Sequence, residues 1–187
     1  DLGASTGGFT QVLLERGASR VYAVDSGRDQ LAPQLRADSR VCVMEGCNAR
    51  GLSRGDIGTV DIVVMDVSFI SQALLYPAVC DILREGGDFI SLIKPQFEVG
   101  REHIGGGGIV RDRRAREAAV LHLLETAAAF GLAARSLIRS PIEGGDGNIE
   151  YLALFTAAGS AQKLPDGWER RIKEVSGEDK KCCTDSE

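Results

Sequence analysis

Asp1-Leu-Gly-Ala-Ser-Thr-Gly-Gly-Phe9 opens the chain, and its reading decides the fold. The stretch has the form of a β-strand tail, a glycine-rich turn and the start of a helix. Gly3 and Gly7 permit positive φ and let a ligand approach the main chain. Ser5 and Thr6 offer hydroxyls, and the helix N-terminus after them offers free N–H groups. The strand feeding this turn is expected to lie before Asp1. A lone glycine turn is weak evidence, so the weight falls on the strands downstream of it.

Three strand ends come in order. Residues 20–25 (RVYAVD) alternate and are β-branched, and they end in an acid, Asp25. Residues 60–65 (VDIVVM) form a buried strand ending at Asp66, and residues 88–93 (DFISLI) another ending at Lys94-Pro95. Residues 40–44 make a further strand, 132–139 another, and 149–155 the last. Helices are expected over 8–17, with Phe9, Val12 and Leu13 at helical spacing, over 29–37, and over 70–83 closed by Gly86-Gly87. A long helix capped by Asp112 carries Val120, Leu123, Leu124, Ala127 and Ala128 inward and stops at Gly131. Strands alternating with helices predict an α/β fold, a mostly parallel doubly wound sheet with an antiparallel last strand. That last strand, reached by a loop over 140–148, is expected at the sheet edge, and the first strand is expected to be truncated.

The 187 residues suffice for one domain, assigned to 1–158, with a polar tail over 159–187. Trp168 and Ile172 suit one amphipathic turn of that tail, and the last ten residues are expected to be disordered. A hydrophobic content of 43% against 26% charged residues fits a soluble globular protein. No stretch reads as a signal peptide or a membrane span. Five cysteines and two histidines show no metal-ligand spacing, so no metal is expected and a reduced, cytoplasmic setting is the simplest reading. The net charge of −5 argues against unaided, nonspecific nucleic-acid binding.

An acid at the position of Asp25 grips ribose hydroxyls in nucleotide-binding sheets; a solvated acid or helix cap is the alternative. The glycine spacing, Gly3-x-x-x-Gly7-Gly8, departs from the dinucleotide fingerprint and favours S-adenosylmethionine over NAD. Asp66, Lys94 and Glu150 form a second constellation, the first two at strand carboxyl ends, where open α/β sheets bind ligands. A buried lysine needs a carboxylate partner. Such a lysine can orient a ribose hydroxyl and accept or stabilise its proton during methyl transfer, although a structural ion pair has the same composition.

The strings DLGASTGGFT, VYAVDSG, DVSFIS, LIKPQFEVGRE, GGGGIVRD and GNIEYL resemble the TlyA family over residues 1 to about 155. Its members, often called hemolysins, are FtsJ-like ribose 2′-O-methyltransferases. The resemblance implies a methyltransferase Rossmann-like fold, S-adenosylmethionine as cofactor, and cytidine ribose in ribosomal RNA or ribosomal subunits as substrate. FtsJ-like enzymes use a Lys-Asp-Lys-Glu tetrad, and Asp66, Lys94 and Glu150 match its last three members. The first lysine precedes the turn in the family and has no match in this sequence, nor has the family's small N-terminal RNA-binding domain.

The candidate cofactor-binding residues are therefore Asp1, Gly3, Ser5, Thr6, Gly7, Gly8, Phe9, Asp25, Asn48 and Asp66. The resemblance puts Asn48 near the adenine edge, with a plain loop asparagine as the alternative; Phe9 fits the core better than the ligand. Arg111, Arg113, Arg114 and Arg116 read as a solvated face. Arg101 and Arg111 flank the glycine loop at 105–108, a candidate lid, and are candidates for RNA phosphate contact. The 187-residue chain is expected to be a cofactor-binding fragment with impaired catalysis and exposed strand edges that favour self-association. Two rival readings are a small-molecule methyltransferase, against which Lys94 and Glu150 weigh, and a membrane-active hemolysin. No basic amphipathic helix of sufficient apolarity supports the second, so no stable membrane association is expected.

Overall fold

The computed structural model describes residues 1–145 and 147–177. In chain order its elements are α1 (Gly8–Glu15), β1 (Val21–Asp25), α2 (Pro33–Arg36), β2 (Val41–Glu45), α3 (Arg54–Ile57), β3 (Val60–Met65), α4 (Tyr76–Ile82), β4 (Leu83–Ile93), α5 (Arg113–Ala129), β5 (Leu132–Arg139), β6 (Tyr151–Ala157) and α6 (Trp168–Gly177). Short 3₁₀ turns fill several connections.

β1 and β2 pair in parallel from Val21↔Val41 to Asp25↔Glu45. β3 and β4 also pair in parallel, and β6 runs antiparallel to both β4 and β5, in the order β3-β4-β6-β5. Between the two groups lies Leu2, with parallel bridges to Val24 of β1 and Met65 of β3. Residues 1–4 thus join the two-stranded and four-stranded parts, with further backbone bonds to Val24 and Val64 and from Asp66. On the Asp1 side of that junction, β1 and β3 flank a groove of about 390 Å³ walled by Tyr22, Val24, Val60 and Ile62 among others.

The large core cluster stacks Phe89 of β4 on Phe155 of β6 at 5.3 Å, with Tyr76 of α4 edge-on to Phe89 at 6.1 Å. The inward face of α5 is the expected one: Val120, Leu123, Leu124, Ala127 and Ala128 are buried, Asp112 caps the helix by accepting the Arg114 N–H at 2.8 Å, and Gly131 ends it at φ +85°. α6 adds Ile172 and Val175 to this cluster, and the Tyr151 and Ser176 hydroxyls lie 2.9 Å apart. Residues 178–187, expected to be disordered, fall outside the described residues.

Four expectations are corrected. The last strand is not an edge: β6 slots between β4 and β5, so β5 takes the edge. Gly86-Gly87 does not close a helix but lies inside β4. There the pairing slips from Val60↔Leu83 to Ile62↔Asp88, and a Cβ on Gly87 would lie 2.9 Å from the Asp61 carbonyl oxygen. The helix over 29–37 shrinks to Pro33–Arg36, because the Glu45 carboxylate takes the N–H groups of Asp29, Gln30 and Leu31 at 2.8–3.1 Å. The helix over 70–83 divides into a 3₁₀ turn and α4, which starts afresh with Pro77 in its first turn, where a missing N–H costs nothing. In α1 the buried positions are Thr10 and Leu14, while Val12 is exposed.

Candidate active site

Parallel pairing aims the carboxyl ends of β1, β3 and β4 at one rim of the sheet. Leu2 N–H donates to the Val64 carbonyl at 2.9 Å and Asp66 N–H to the Leu2 carbonyl at 3.0 Å, so the opening stretch behaves as strand up to the turn. Gly3 then turns at φ +83°; a Cβ there would sit 2.3 Å from the Asp66 carbonyl oxygen, which leaves glycine as the only residue that fits. The Ser5 N–H donates to Asp25 Oδ2 at 2.8 Å and the Gly27 N–H to Oδ1 at 2.7 Å. Asp25 is thereby held at the rim by two backbone donors. A carboxylate has about four acceptor sites, so two remain for a ligand.

A cavity of about 360 Å³ opens beside it, and of the expected binding residues Gly3, Ser5, Asp25, Asn48 and Asp66 line it. Asn48 Oδ1 caps a 3₁₀ turn by accepting the Arg50 N–H at 3.1 Å, and the residue also lines the cavity. Asp1, Thr6, Gly7, Gly8 and Phe9 do not line it. Asp1 borders the groove between β1 and β3, and its carboxylate accepts the Thr10 hydroxyl at 2.6 Å. Gly7 packs so tightly on Leu31 and Leu35 that a Cβ would meet Leu35 at 2.2 Å, so its role is in the core. Thr6 accepts the Ala32 N–H through its carbonyl, Gly8 opens α1, and Phe9 is half-buried.

Next to the cavity, Lys94 Nζ lies 2.5 Å from Asp66 Oδ1 and donates to Ser68 Oγ at 3.0 Å. Glu150 is buried at the start of β6, and its Oε1 accepts from the Gln96 amide at 3.0 Å. Burial raises the Glu150 pKa; the Gln96 hydrogen bond and the Lys94 charge pull it down, and Asp66 pushes it up. Asp66, Lys94 and Glu150 therefore feel one another at the sheet rim. An ammonium paired with Asp66, in the field of Glu150 and next to a cavity that Asp66 lines, can hold a hydroxyl oxygen and stabilise it as its proton leaves.

Several contributors are not legible in the sequence. Phe69 is 91% exposed at φ +65°, with its ring 5.0 Å from that of Phe97. Ser68 and Gln96 touch the charged group, and both lie in strings that carried the family resemblance. Asn148 is buried and fastens the glycine loop: its Oδ1 accepts the Val110 N–H and its amide donates to the Gly108 carbonyl, both at 3.0 Å. Arg101 and Arg111 are exposed on that loop. Arg116 is no part of a solvated face, being buried and donating to the Val110 and Arg111 carbonyls at 2.9 and 3.0 Å. Among the described residues, no helix is long and apolar enough to cross a membrane.

A largely parallel sheet, antiparallel only at its β6 insertion, with a carboxylate at the end of β1 and an Asp–Lys–Glu group beside the cavity, is the build of an α/β methyltransferase. Comparison with known proteins agrees. Residues 1–156 match the model of the FtsJ-like methyltransferases, and the chain belongs to that family. It is 46% identical over 179 residues to the 16S/23S rRNA (cytidine-2′-O)-methyltransferase TlyA of Mycobacterium tuberculosis, covering 93% of this chain and 67% of that protein. Hemolysin A of Brachyspira hyodysenteriae is 41% identical over 157 residues, covering 83% of this chain and 65% of its own. A solved structure of a Streptococcus thermophilus protein called a hemolysin superposes with a TM-score of 0.88 at 46% identity, covering 94% of this chain and 63% of that one. The chain thus spans about two thirds of the length of these relatives.

Proposed function

We propose that this chain carries the cofactor-binding and catalytic part of an S-adenosylmethionine-dependent methyltransferase acting on the ribose 2′-hydroxyl of cytidine in ribosomal RNA. The observation that carries the reading is the Asp66–Lys94–Glu150 group at the rim of the cavity that Gly3, Ser5 and Asp25 line. The names of the curated relatives supply the nucleotide and the RNA.

The cavity fits the cofactor by its chemistry. Asp25 keeps acceptor sites for two ribose hydroxyls, the Gly3 backbone allows close approach, and Asn48 borders the adenine end. S-adenosylmethionine supplies an electrophilic methyl group when bound. Lys94 would donate to the acceptor oxygen, hold it in place and stabilise it as its proton leaves. Asp66 orients the ammonium through their ion pair, and Glu150 adds negative charge behind it. The exposed Phe69 ring, braced on Phe97, offers a stacking face to an unpaired base. Arg101 and Arg111 are the proposed phosphate contacts, and the cytoplasm, where ribosomal RNA resides, is the proposed compartment. Residues 1–158 are the proposed methyltransferase domain, to which α6 is appended.

Two substitutions test the two halves separately. Asp25→Ala removes charge-assisted hydrogen bonds and is expected to weaken cofactor binding by about 2–3 kcal/mol in calorimetry. In the full-length protein, Lys94→Ala is expected to keep that binding and lose transfer of tritiated methyl groups to ribosomal subunits, with the Mycobacterium tuberculosis relative as positive control. Preference for NAD over S-adenosylmethionine would sink the cofactor assignment. Undiminished transfer by Lys94→Ala would sink the catalytic one.

A further inference from the structure

Lys94 sits on a stretch of chain gripped on both sides by one residue. Gln72 is 1% exposed and comes shortly after the Asp66–Phe69 segment. Its Nε2 donates to the Leu92 carbonyl at 2.5 Å and its Oε1 accepts from the Ser91 hydroxyl at 2.6 Å. These bonds fix β4 two and three residues before Lys94. Its backbone N–H donates to Glu98 Oε1 at 2.9 Å, four residues after Lys94. The Ser71 hydroxyl bonds the same carboxylate.

The link from Glu98 back to Lys94 is short and stiff. Phe97 N–H donates to the Lys94 carbonyl, and the Glu98 and Val99 N–H groups both donate to the Pro95 carbonyl, each at 3.0 Å. Pro95 fixes its own φ within this turn. Moving Glu98 therefore moves Lys94. Glu98 is a half-buried carboxylate whose pKa is raised by burial, so it sits where solvation alone would not put it.

We propose that Gln72 and Glu98 are positioning residues: together they bracket the Lys94 turn and hold its ammonium against Asp66 at the acceptor-hydroxyl site. This rests on the reading of Lys94 as catalytic, but the bracket itself has a readout that needs no turnover. Amine-selective acylation of the folded 187-residue chain, followed by mass spectrometry, gives Lys94 reactivity relative to the exposed Lys163 and Lys173. Glu98→Ala and Gln72→Leu are expected to raise that ratio roughly fivefold to tenfold as the ion pair loosens. Glu98→Gln keeps an acceptor oxygen and is expected to stay at the parent value. In the methyl-transfer assay the two disruptive variants are expected to lose about 10–100-fold in kcat, with RNA KM and cofactor affinity unchanged. Glu98 lies on a loop, so its truncation is expected to leave the fold intact even if Gln72→Leu does not. Unchanged Lys94 reactivity in Glu98→Ala would overturn the bracket. A loosened Lys94 with undiminished methyl transfer would instead overturn its part in catalysis, and the catalytic reading of Lys94 with it.

Discussion

Glu150 sits where a carboxylate is poorly solvated, and the fold carries that cost for the sake of the charge. Its pKa is raised, first by burial, so the charged form is less favoured in the folded state than in the unfolded chain. The sign comes from proton linkage. A group whose folded pKa is raised adds stability below its unfolded pKa and loses it as pH rises through the folded value. Glu150→Gln keeps the acceptor for Gln96 and removes the charge. It is expected to raise stability at pH 7, by an amount that solvent screening reduces, while methyl transfer falls. In thermal melts the gain should shrink as pH drops from 7 toward 4. A variant less stable than its parent at pH 7 would mean that the Lys94 attraction outweighs burial. The same scale shows what sequence can reveal. Asp25, Asp66 and Lys94 were legible because each ends an apolar β-branched run. The exposure of Phe69 was not, because an aromatic next to Ile70 looks like core until the chain is folded around it.

Strands were easier to read than helices, and the reason is where backbone donors find partners. β1, β3 and β4 are Val- and Ile-rich and pair as their composition demands. The segment 29–37 has helical polarity, yet Glu45 from β2 captures three of its N–H groups, a tertiary contact no local pattern announces. The insertion of β6 beside β4 was equally hidden, since a loop-linked strand reads the same at an edge or within a sheet. That insertion stacks Phe89 on Phe155 and places Glu150 next to Lys94. Phe89→Ala should therefore cost about 3–5 kcal/mol, as large aromatic truncations in packed cores do. Urea denaturation monitored by circular dichroism measures it. A loss below about 1 kcal/mol would show that the β4–β6 contact is not the centre of the core.

Across the whole molecule, the rim cavity spans two structural blocks. Asp25 belongs to the β1–β2 pair, Asp66 and Lys94 to the four-stranded part, and residues 1–4 bond to both. A molecule bound in the cavity would touch both parts and brace them. S-adenosylhomocysteine at a hundred times its Kd is expected to add about 2.7 kcal/mol to global stability. Its local signature is more telling. The amides of Leu2, Gly3 and Val24 hydrogen-bond directly at the junction, at 2.9 Å each. Deuterium uptake at these three should slow on ligand addition more than at α5 or β5, which belong wholly to one block. Uniform slowing would mean the blocks already move as one. Slowing concentrated at the junction would show that a ligand in the cavity also sets the spacing of Asp25 and Lys94 across the sheet.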